Sequence, residues 1–502
     1  MLKFDINMKK ILSILGYVTS IFLFLYIRFP ALLAHSVAYT YDQGRDFMAG
    51  ANIVLTHHIP FIGPTTGING LFHGSWWYYY LALPFLLFKG APIGYYYANL
   101  AIHLLCFVAI MLFISMKTND MLAIFAGFLI AFSPYFTFTS LFVGNNIMVL
   151  PSLVIFLITN YLIFEKGKKK NNVLYLINGL ALGFVAEFEL SFGLFIIPVY
   201  FLAHALFPQL RAVIKNIKSL LFTLAGLIIA FAPRILFELK NKFQQTRVLL
   251  SFFTKPKLYN PKSFVDVLTD RFHLFVGYWK GMFPNDVWAI SFAVLVLLAV
   301  VFLISKKKKI SPFTLFSGYL VLFLFLISLV YKDNFWGNYY EGIQYIMMFF
   351  MISVFSQLNV KTTVIKVGFI CIISAFFITQ LLTIVLAHKT SPQKDGLAIQ
   401  EDVMNVIMQN ESANSQFCVR IYTPPVIPHT YNYLFMYNKL KGKISAPSSE
   451  WINGTCWFIV ESDSYKKRRD DWLEVNEPKD KYEVSITKLK DVEVRYYKVL
   501  PK

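Results

Sequence analysis

Charged side chains stand together directly after the first apolar stretch of the chain. Residues 41–46 read Tyr-Asp-Gln-Gly-Arg-Asp, so that two carboxylates, Asp42 and Asp46, accompany the guanidinium of Arg45. Charges at a membrane boundary are costly to desolvate and are usually kept for function. A carboxylate can take the proton of an attacking hydroxyl, and an arginine can balance the charge of a departing phosphate. These are the groups that transfer of a sugar from a lipid phosphate requires.

The spacing of the two aspartates places them on one face of a predicted helix. Residues 43–56 are compatible with a helix, and Asp42 and Asp46 are four residues apart. Asp42 also has a purely structural explanation, because an aspartate at this position can cap the helix that follows. A cap and a catalytic carboxylate can be the same residue, so both explanations stay open.

Further polar residues lie at the ends of apolar stretches, and we expect them to bind substrate on the external side of the membrane. His73 follows a loop with glycines and prolines, and it either contacts a phosphate or makes a structural hydrogen bond. Glu187 and Glu189 lie so close to an apolar boundary that we expect them to bind sugar or acceptor hydroxyl groups. Arg234 and Glu238 are four residues apart, and a simple ion pair between them is the alternative to substrate binding. The predicted binding residues are Arg45, Asp46, His73, Glu187, Glu189, Arg234, Glu238, Arg271, Tyr339 and Tyr340.

The composition identifies a polytopic membrane protein. Of the 502 residues, 57% are hydrophobic and 18% aromatic, whereas only 15% are charged. The net charge of +19 comes from lysines that cluster between apolar stretches, which is the positive-inside pattern and not a nucleic-acid footprint. We therefore expect the lipid bilayer as a partner and no nucleic acid.

The apolar stretches predict about eleven transmembrane helices. They fall near residues 11–28, 95–116, 121–140, 147–164, 173–189, 191–207, 219–236, 287–305, 312–331, 342–358 and 363–387. Basic connectors, with 168–170 and 306–309 the strongest, should face the cytoplasm. They do so if the aromatic stretch 76–88 lies in the membrane interface instead of crossing the bilayer. The N-terminus is then cytoplasmic and the C-terminus external.

The chain divides into two predicted domains. Residues 1–389 form the transmembrane domain, with a first external loop at about 29–94, and residues 390–502 form a soluble extracytoplasmic α/β domain. Short alternating stretches at 457–460 and 492–496 predict strands in the second domain.

The second domain also contains an amphipathic stretch, Leu397–Met408, that predicts a helix. Cys418 and Cys456 in this domain either form a disulfide or remain thiols. No spacing of cysteines or histidines typical of metal ligands appears in the sequence, and we expect neither a metal nor another cofactor.

The arrangement resembles the GT-C superfamily of integral-membrane glycosyltransferases. It is most similar to the branch of protein O-mannosyltransferases and aminoarabinose transferases, the dolichyl-phosphate-mannose-protein mannosyltransferase family. The resemblance rests on Asp42 early in the first external loop, on an interfacial helix introduced by residues 72–74, and on Ser133-Pro134 after the third span. It implies a mainly α fold with external interfacial helices and a small α/β domain. It also implies Asp42 as the catalytic base and a polyprenyl-phosphate sugar as the donor.

Three positions depart from the family pattern. Gln43 replaces the second residue of an acidic pair, and His73-Gly74 stand where a lysine-proline pair is usual. Asn145 or Asn146 replaces an aspartate that often follows the third span. The last departure weakens the case for a bound divalent metal and leaves the acceptor open.

We expect an inverting transfer of a hexose or pentose from polyprenyl phosphate to a hydroxyl of a glycan, lipid or protein. The reaction would take place on the external side of the plasma membrane, with Arg45, His73, Arg234 and Arg271 as candidates to stabilise the departing phosphate. The alternative is a transporter or flippase of lipid-linked sugars. Charges at span ends and the lack of an inverted repeat in the sequence favour the transferase.

Overall fold

A computed structural model describes most of the chain and divides it into two compact units that alternate along the sequence. The described residues are 2–166, 171–254, 262–331, 334–358, 363–387 and 394–500. The first unit comprises Met1–Arg28, Pro60–Trp77 and Asn99–Thr390, and the second Phe29–Ile59, Tyr78–Ala98 and Ser391–Lys502. The predicted lysine connector 168–170 and the predicted boundary at 389/390 lie outside the described residues.

The described residues form twenty α-helices, two 3₁₀ turns and four strands. The helices are α1 Leu2–Leu33, α2 Tyr41–Thr56, α3 Trp76–Leu87, α4 Pro92–Lys117, α5 Asp120–Phe132, α6 Pro134–Leu141, α7 Val149–Lys166, α8 Asn172–Phe188, α9 Leu190–Leu206, α10 Pro208–Lys215, α11 Ile217–Lys240, α12 Gln244–Thr254, α13 Phe264–Gly281, α14 Asp286–Ser305, α15 Pro312–Ser328, α16 Ile343–Ser356, α17 Thr363–Ala387, α18 Leu397–Met408, α19 His429–Leu440 and α20 Lys466–Asn476. The 3₁₀ turns are Asn145–Met148 and Gly337–Tyr340, and the strands are β1 Val419–Tyr422, β2 Thr455–Glu461, β3 Tyr482–Leu489 and β4 Val492–Val499.

Several of these helices are long and apolar enough to cross a membrane, and the chain is a multi-pass membrane protein. Among the described residues five single helices qualify, or up to seven if two bent pairs, α5 with α6 and α9 with α10, each form one span. The shorter apolar helices are Asn172–Phe188, Pro312–Ser328, Ile343–Ser356 and Ile370–Thr383. The count of about eleven stays a prediction, because it requires both bent pairs and all four shorter helices to cross. Helix α3 has 12 residues, too few to span a bilayer about 30 Å thick.

Helix α2 carries Asp42 and begins earlier than the sequence predicted. It starts at Tyr41, and Thr40 is its N-cap, with the Thr40 amide donating to the Gln43 side-chain oxygen over 2.8 Å. Gln43 therefore closes a capping box, which gives the departure at this position a structural role. The expectation that Asp42 is the N-cap was wrong, because Asp42 lies inside the first turn.

In the first unit, α8 and α11 pack closely because each presents glycines to the other. A Cβ at Gly179 would lie 2.0 Å from the Thr223 carbonyl oxygen, and one at Gly226 would lie 2.2 Å from that of Leu176. Glycines let the two backbones approach as larger residues cannot. This contact sets the relative position of Glu187, near the end of α8, and of residues farther along α11.

The second unit is built around a four-stranded sheet with strand order β1-β2-β4-β3. Strands β1 and β2 are parallel, with Val419 opposite Trp457, and the other two pairs are antiparallel. The predicted strands at 457–460 and 492–496 lie within β2 and β4, and the predicted helix Leu397–Met408 matches α18. Cys418 and Cys456 form a disulfide inside the sheet's hydrophobic cluster.

An aromatic core joins the first-loop residues of the second unit to its C-terminal part. The rings of Phe47 and Tyr95 stack with centroids 3.8 Å apart, and the hydroxyl groups of Tyr95 and Tyr433 are 2.9 Å apart. Helix α2 packs on α19, and a Cβ at Gly44 would lie 2.5 Å from the main chain of His429. The beginning of α2 is thus held against the beginning of α19.

Candidate functional site

The acidic cluster of the second unit consists of Asp42, Arg45 and Asp46. Arg45 Nη1 lies 2.8 Å from Asp42 Oδ1, and Arg45 Nε lies 2.8 Å from Asp46 Oδ1. Half of the Asp42 side chain is exposed, whereas the Asp46 side chain is 4% exposed. Asp42 is therefore the carboxylate that a substrate can reach.

Arg45 is compensated by the two carboxylates that it holds. Burial alone would lower the pKa of its guanidinium, but the bonds and charges of Asp46, and the charge of Asp42, outweigh burial and raise it. With two carboxylates and one guanidinium ionised, the cluster carries one net negative charge. Arg45 thus orients Asp42 and is poorly suited to attract a phosphate.

The Glu187 cluster of the first unit consists of Glu187, Arg234 and Gln245. Arg234 Nε donates to Glu187 Oε1 over 2.6 Å, and Arg234 Nη1 donates to Gln245 Oε1 over 2.9 Å and to the Phe72 carbonyl over 3.0 Å. The Phe72 amide also donates to Gln245 Oε1, over 3.0 Å. Two donors on Gln245 Oε1 fix the orientation of its amide, so that Nε2 points away from them.

Three buried atoms of the Glu187 cluster have no hydrogen-bond partner among the described residues. They are the acceptor Glu187 Oε2 and the donors Arg234 Nη2 and Gln245 Nε2. Buried polar groups are nearly always hydrogen-bonded, and each exception needs an explanation. The Glu187 cluster combines a neutral ion pair with two donors and one acceptor that have no partner among the described residues, so it suits a neutral hydroxyl group better than a phosphate.

The alternative prediction, a simple ion pair between Arg234 and Glu238, was wrong. The ion pair that Arg234 forms is with Glu187. Glu238 instead accepts from the main-chain amides of Gln245 and Thr246, over 2.9 and 3.0 Å, and from the Thr246 hydroxyl over 2.7 Å. It holds the free amides at the start of α12, which is a structural role.

A third carboxylate, Glu341, lies in the first unit between the second 3₁₀ turn and α16. Tyr135 donates its hydroxyl to Glu341 Oε1 over 2.5 Å, and Asn146 Nδ2 donates to Oε2 over 3.0 Å. Burial raises the pKa of Glu341 to about 7, against the two hydrogen bonds that favour its ionised form. Asn146, one of the two residues at which the family pattern has an aspartate, thus binds a carboxylate.

Arg271 lines a cavity of about 570 Å³ in the first unit together with Lys262, His273 and Tyr278. Its side chain is buried, and its Nη2 and Nε donate to the main-chain carbonyls of Tyr331 and Ser328 over 2.7 and 3.4 Å. The guanidinium carbon also lies 4.5 Å from the centre of the Phe335 ring. Asp270 lines the same cavity and adds a negative charge near the Arg271 guanidinium.

The other predicted residues occupy structural positions. His73 Nδ1 accepts from the Leu190 amide over 3.4 Å, and Glu189 is buried and caps α9 by accepting from the Ser191 amide over 3.3 Å. Tyr340 is fully buried and donates its hydroxyl to the Leu324 carbonyl over 2.9 Å. Tyr339 packs edge-on against Phe335, with ring centroids 5.1 Å apart.

Gln245, Glu341 and His429, whose main chain lies against Gly44, were not among the predicted binding residues. Glu341 had a sequence signal, because it is a carboxylate in a predicted external loop. Gln245 and His429 are ordinary polar residues at helix starts, and no local pattern separates them from solvated surface.

Among the described residues, no group of three or more His, Cys, Asp and Glu side chains is arranged to hold a metal ion. No family model matches the chain. No curated protein sequence matches it.

Comparison with solved structures identifies the fold. ArnT from Cupriavidus metallidurans bound to undecaprenyl phosphate matches with a TM-score of 0.56 and 11% identity, over 97% of this chain and 99% of that chain. The same protein in the apo state matches with a TM-score of 0.53 and 11% identity, over 99% and 100%. Archaeal oligosaccharyltransferase AglB from Archaeoglobus fulgidus, in complex with an inhibitory peptide and a dolichol-phosphate, has a TM-score of 0.46 and 14% identity, over 88% and 64%. The chain is thus a multi-pass membrane protein with the fold of the two ArnT structures. Within that fold it is similar to ArnT over nearly its whole length.

Proposed function

We propose that the chain is a membrane glycosyltransferase that moves a sugar from a polyprenyl phosphate to an acceptor hydroxyl, with inversion at the anomeric carbon. The observation that carries this proposal is the half-exposed carboxylate of Asp42, held in place by Arg45. The shared fold supports it, because the similar ArnT structure is bound to undecaprenyl phosphate.

Asp42 acts as the general base. It takes the proton of the acceptor hydroxyl while the acceptor oxygen forms its bond to the anomeric carbon. The bond between that carbon and the phosphate oxygen breaks on the opposite face, and the lipid phosphate leaves with the electron pair. Arg45 positions Asp42 through the 2.8 Å ion pair, and Asp46 anchors Arg45.

Arg271 is proposed as a phosphate-binding residue of the first unit. Its buried guanidinium lines a cavity that Lys262 and His273 share, and Lys262 is paired with Asp270 over 2.5 Å. Guanidinium groups bind phosphate oxygens through charge-assisted hydrogen bonds. His73 and Tyr339 pack within the first unit and are proposed as further substrate contacts.

The Glu187 cluster binds hydroxyl groups of a sugar. A hydroxyl can donate to Glu187 Oε2 and accept from Arg234 Nη2 or Gln245 Nε2, which are the three atoms without partners among the described residues. Glu238 supports this cluster because it accepts from the main-chain amide of Gln245 over 2.9 Å.

The site is proposed to face the outside of the plasma membrane, with the N-terminus in the cytoplasm. The disulfide between Cys418 and Cys456 supports an extracytoplasmic place for the C-terminal part, because disulfides persist in oxidising compartments.

The decisive experiment incubates the purified protein with a panel of labelled polyprenyl-phosphate sugars and a cell-envelope extract as the source of acceptor. Release of free lipid phosphate from one member of the panel, with label appearing in a second product, is the expected result. A flippase would instead move intact donor between the leaflets of a proteoliposome without releasing lipid phosphate. That outcome would replace the transferase proposal with the transporter alternative.

A further inference from the structure

His429 is brought to the acidic cluster by a backbone contact that admits no side chain at Gly44. A Cβ there would lie 2.5 Å from the carbonyl carbon of His429, 2.5 Å from the Thr430 nitrogen and 2.6 Å from the His429 oxygen. Contacts under 3.0 Å to main-chain atoms cannot be relieved by a small side-chain movement. Only glycine therefore permits this approach, and Gly44 lies between Asp42 and Arg45 on α2.

Neighbouring contacts hold this arrangement in register. Tyr39, just before α2, donates its hydroxyl to the Thr430 carbonyl over 3.4 Å. Tyr433, one turn into α19, pairs with Tyr95 and stacks edge-on against Phe47, with ring centroids 5.5 Å apart. The first turn of α19 is thus fixed against the first turn of α2 from both sides, and His429 is the first residue of α19.

The charges that act on His429 are those of the acidic cluster. Partial burial and the positive charge of Arg45 lower the pKa of His429 from its ordinary value of 6.5, and the negative charge of Asp42 opposes them. At neutral pH the imidazole is therefore uncharged. A neutral imidazole offers one hydrogen-bond donor and one acceptor.

We propose that His429 is an acceptor-binding residue of the Asp42 site, where its neutral imidazole hydrogen-bonds the sugar or other polyol that carries the attacking hydroxyl. This inference rests on the proposed function and adds a residue of the C-terminal part to it. A neutral imidazole next to a cluster with net negative charge favours an uncharged acceptor bearing several hydroxyl groups. The proton of the attacking hydroxyl still goes to Asp42, and His429 takes no proton in the reaction.

The first test needs no substrate. Diethyl pyrocarbonate modifies uncharged histidines, and mass spectrometry can follow the pH dependence at His429 in the full-length protein. Asp42→Asn removes the charge that raises the pKa of His429, so the midpoint at His429 should move to lower pH. His58, exposed just beyond the other end of α2, is the internal control, and the extent of its modification should be the same in wild type and Asp42→Asn. An unchanged midpoint at His429 would overturn the proposed neighbourhood of the two side chains.

The second test measures lipid-phosphate release by wild type, His429→Gln and His58→Gln. For His429→Gln we expect a rate about 3- to 10-fold lower at neutral pH, through a raised KM for the acceptor extract with the donor KM unchanged. In the wild type the rate should fall in acid as the imidazole becomes charged, and His429→Gln should lose that part of the acid limb.

The outcomes separate the two proposals. A wild type that releases no lipid phosphate from any donor overturns the proposed function, and with it the role of His429. A wild type that turns over with a profile identical to that of His429→Gln leaves the transferase proposal standing and overturns the one made for His429. Rescue of His429→Ala by added imidazole would support it.

Discussion

Arg234 Nε lies 2.6 Å from Glu187 Oε1, and the two side chains are 13% and 0% exposed. Removal of one partner from such a pair leaves a charge in a poorly solvated place. We expect Glu187→Gln to lower the free energy of unfolding by about 3–5 kcal/mol. Thermal unfolding in detergent is the measurement.

The matched control for this ion pair is Lys280 with Asp286, whose side chains are 42% and 66% exposed. Asp286→Asn should cost less than about 1 kcal/mol. Equal losses in Glu187→Gln and Asp286→Asn would show that the buried ion pair adds no more to stability than an exposed one.

Gly74→Ala should disturb the same cluster from the loop side. A Cβ at Gly74 would lie 2.0 Å from Glu187 Oε2, so the carboxylate must shift. We expect a loss of about 1–3 kcal/mol in thermal unfolding. Gly67→Ala in the same loop is the control, since nothing lies within 4 Å of its added Cβ and about 0.5 kcal/mol or less is expected. Tolerance of both changes would contradict the close approach of Gly74 to Glu187.

Asp42→Asn and Asp46→Asn should differ in kind. Asp42→Asn keeps the shape of a half-exposed side chain, so the stability should hardly change while the rate falls about 10²–10⁴-fold. Asp46→Asn changes a buried carboxylate that anchors Arg45, and it should lose about 1–3 kcal/mol of stability. Near-normal lipid-phosphate release by Asp42→Asn would rule out Asp42 as the base. Equal rate losses at unchanged stability in both variants would mean that the two carboxylates act together.

Glu341 should make the stability depend on pH. Its pKa is raised from 4.5 to about 7 by burial, so between these values the folded protein holds a proton that the unfolded chain has lost. The contribution to stability is therefore complete below pH 4.5 and is lost as the pH rises to about 7. Glu341→Gln is neutral in both states and should flatten this part of the profile. Thermal midpoints at about pH 5 and about pH 7.5 measure the difference, and parallel profiles for wild type and variant would contradict it.

Membrane topology can be tested with single cysteines at exposed lysines. In a protein whose Cys106 and Cys371 are replaced by alanine, a membrane-impermeant maleimide added from outside should label Lys441→Cys but not Lys307→Cys. Labelling of Lys307→Cys from outside would reverse the predicted orientation and place Asp42 in the cytoplasm.

Local patterns were enough to predict most of the helices and strands. Helix α18 matches its predicted bounds, and β2 and β4 contain the predicted strands, because hydrophobic periodicity acts over a few neighbouring residues. The start of α2 was missed by two residues. Asp42 was considered as the cap, whereas the capping box uses Thr40 and Gln43. Membrane character follows from composition, whereas the resemblance to the GT-C superfamily rests on short motifs, and the role of Asp42 stays a prediction.

The partners of the charged groups depend on contacts between distant parts of the chain. Spacing along one helix offered Glu238 to Arg234, but the packing of α8 on α11 supplies Glu187, 47 residues away, while Glu238 serves α12. Glu341 finds Tyr135 at a separation of 206 residues, and Cys418 finds Cys456 at 38. Which donor meets which acceptor depends on how separate elements pack, and at Gly44 and Gly226 that packing requires a glycine. No periodicity within a single element contains that information, because it depends on how separate elements pack together.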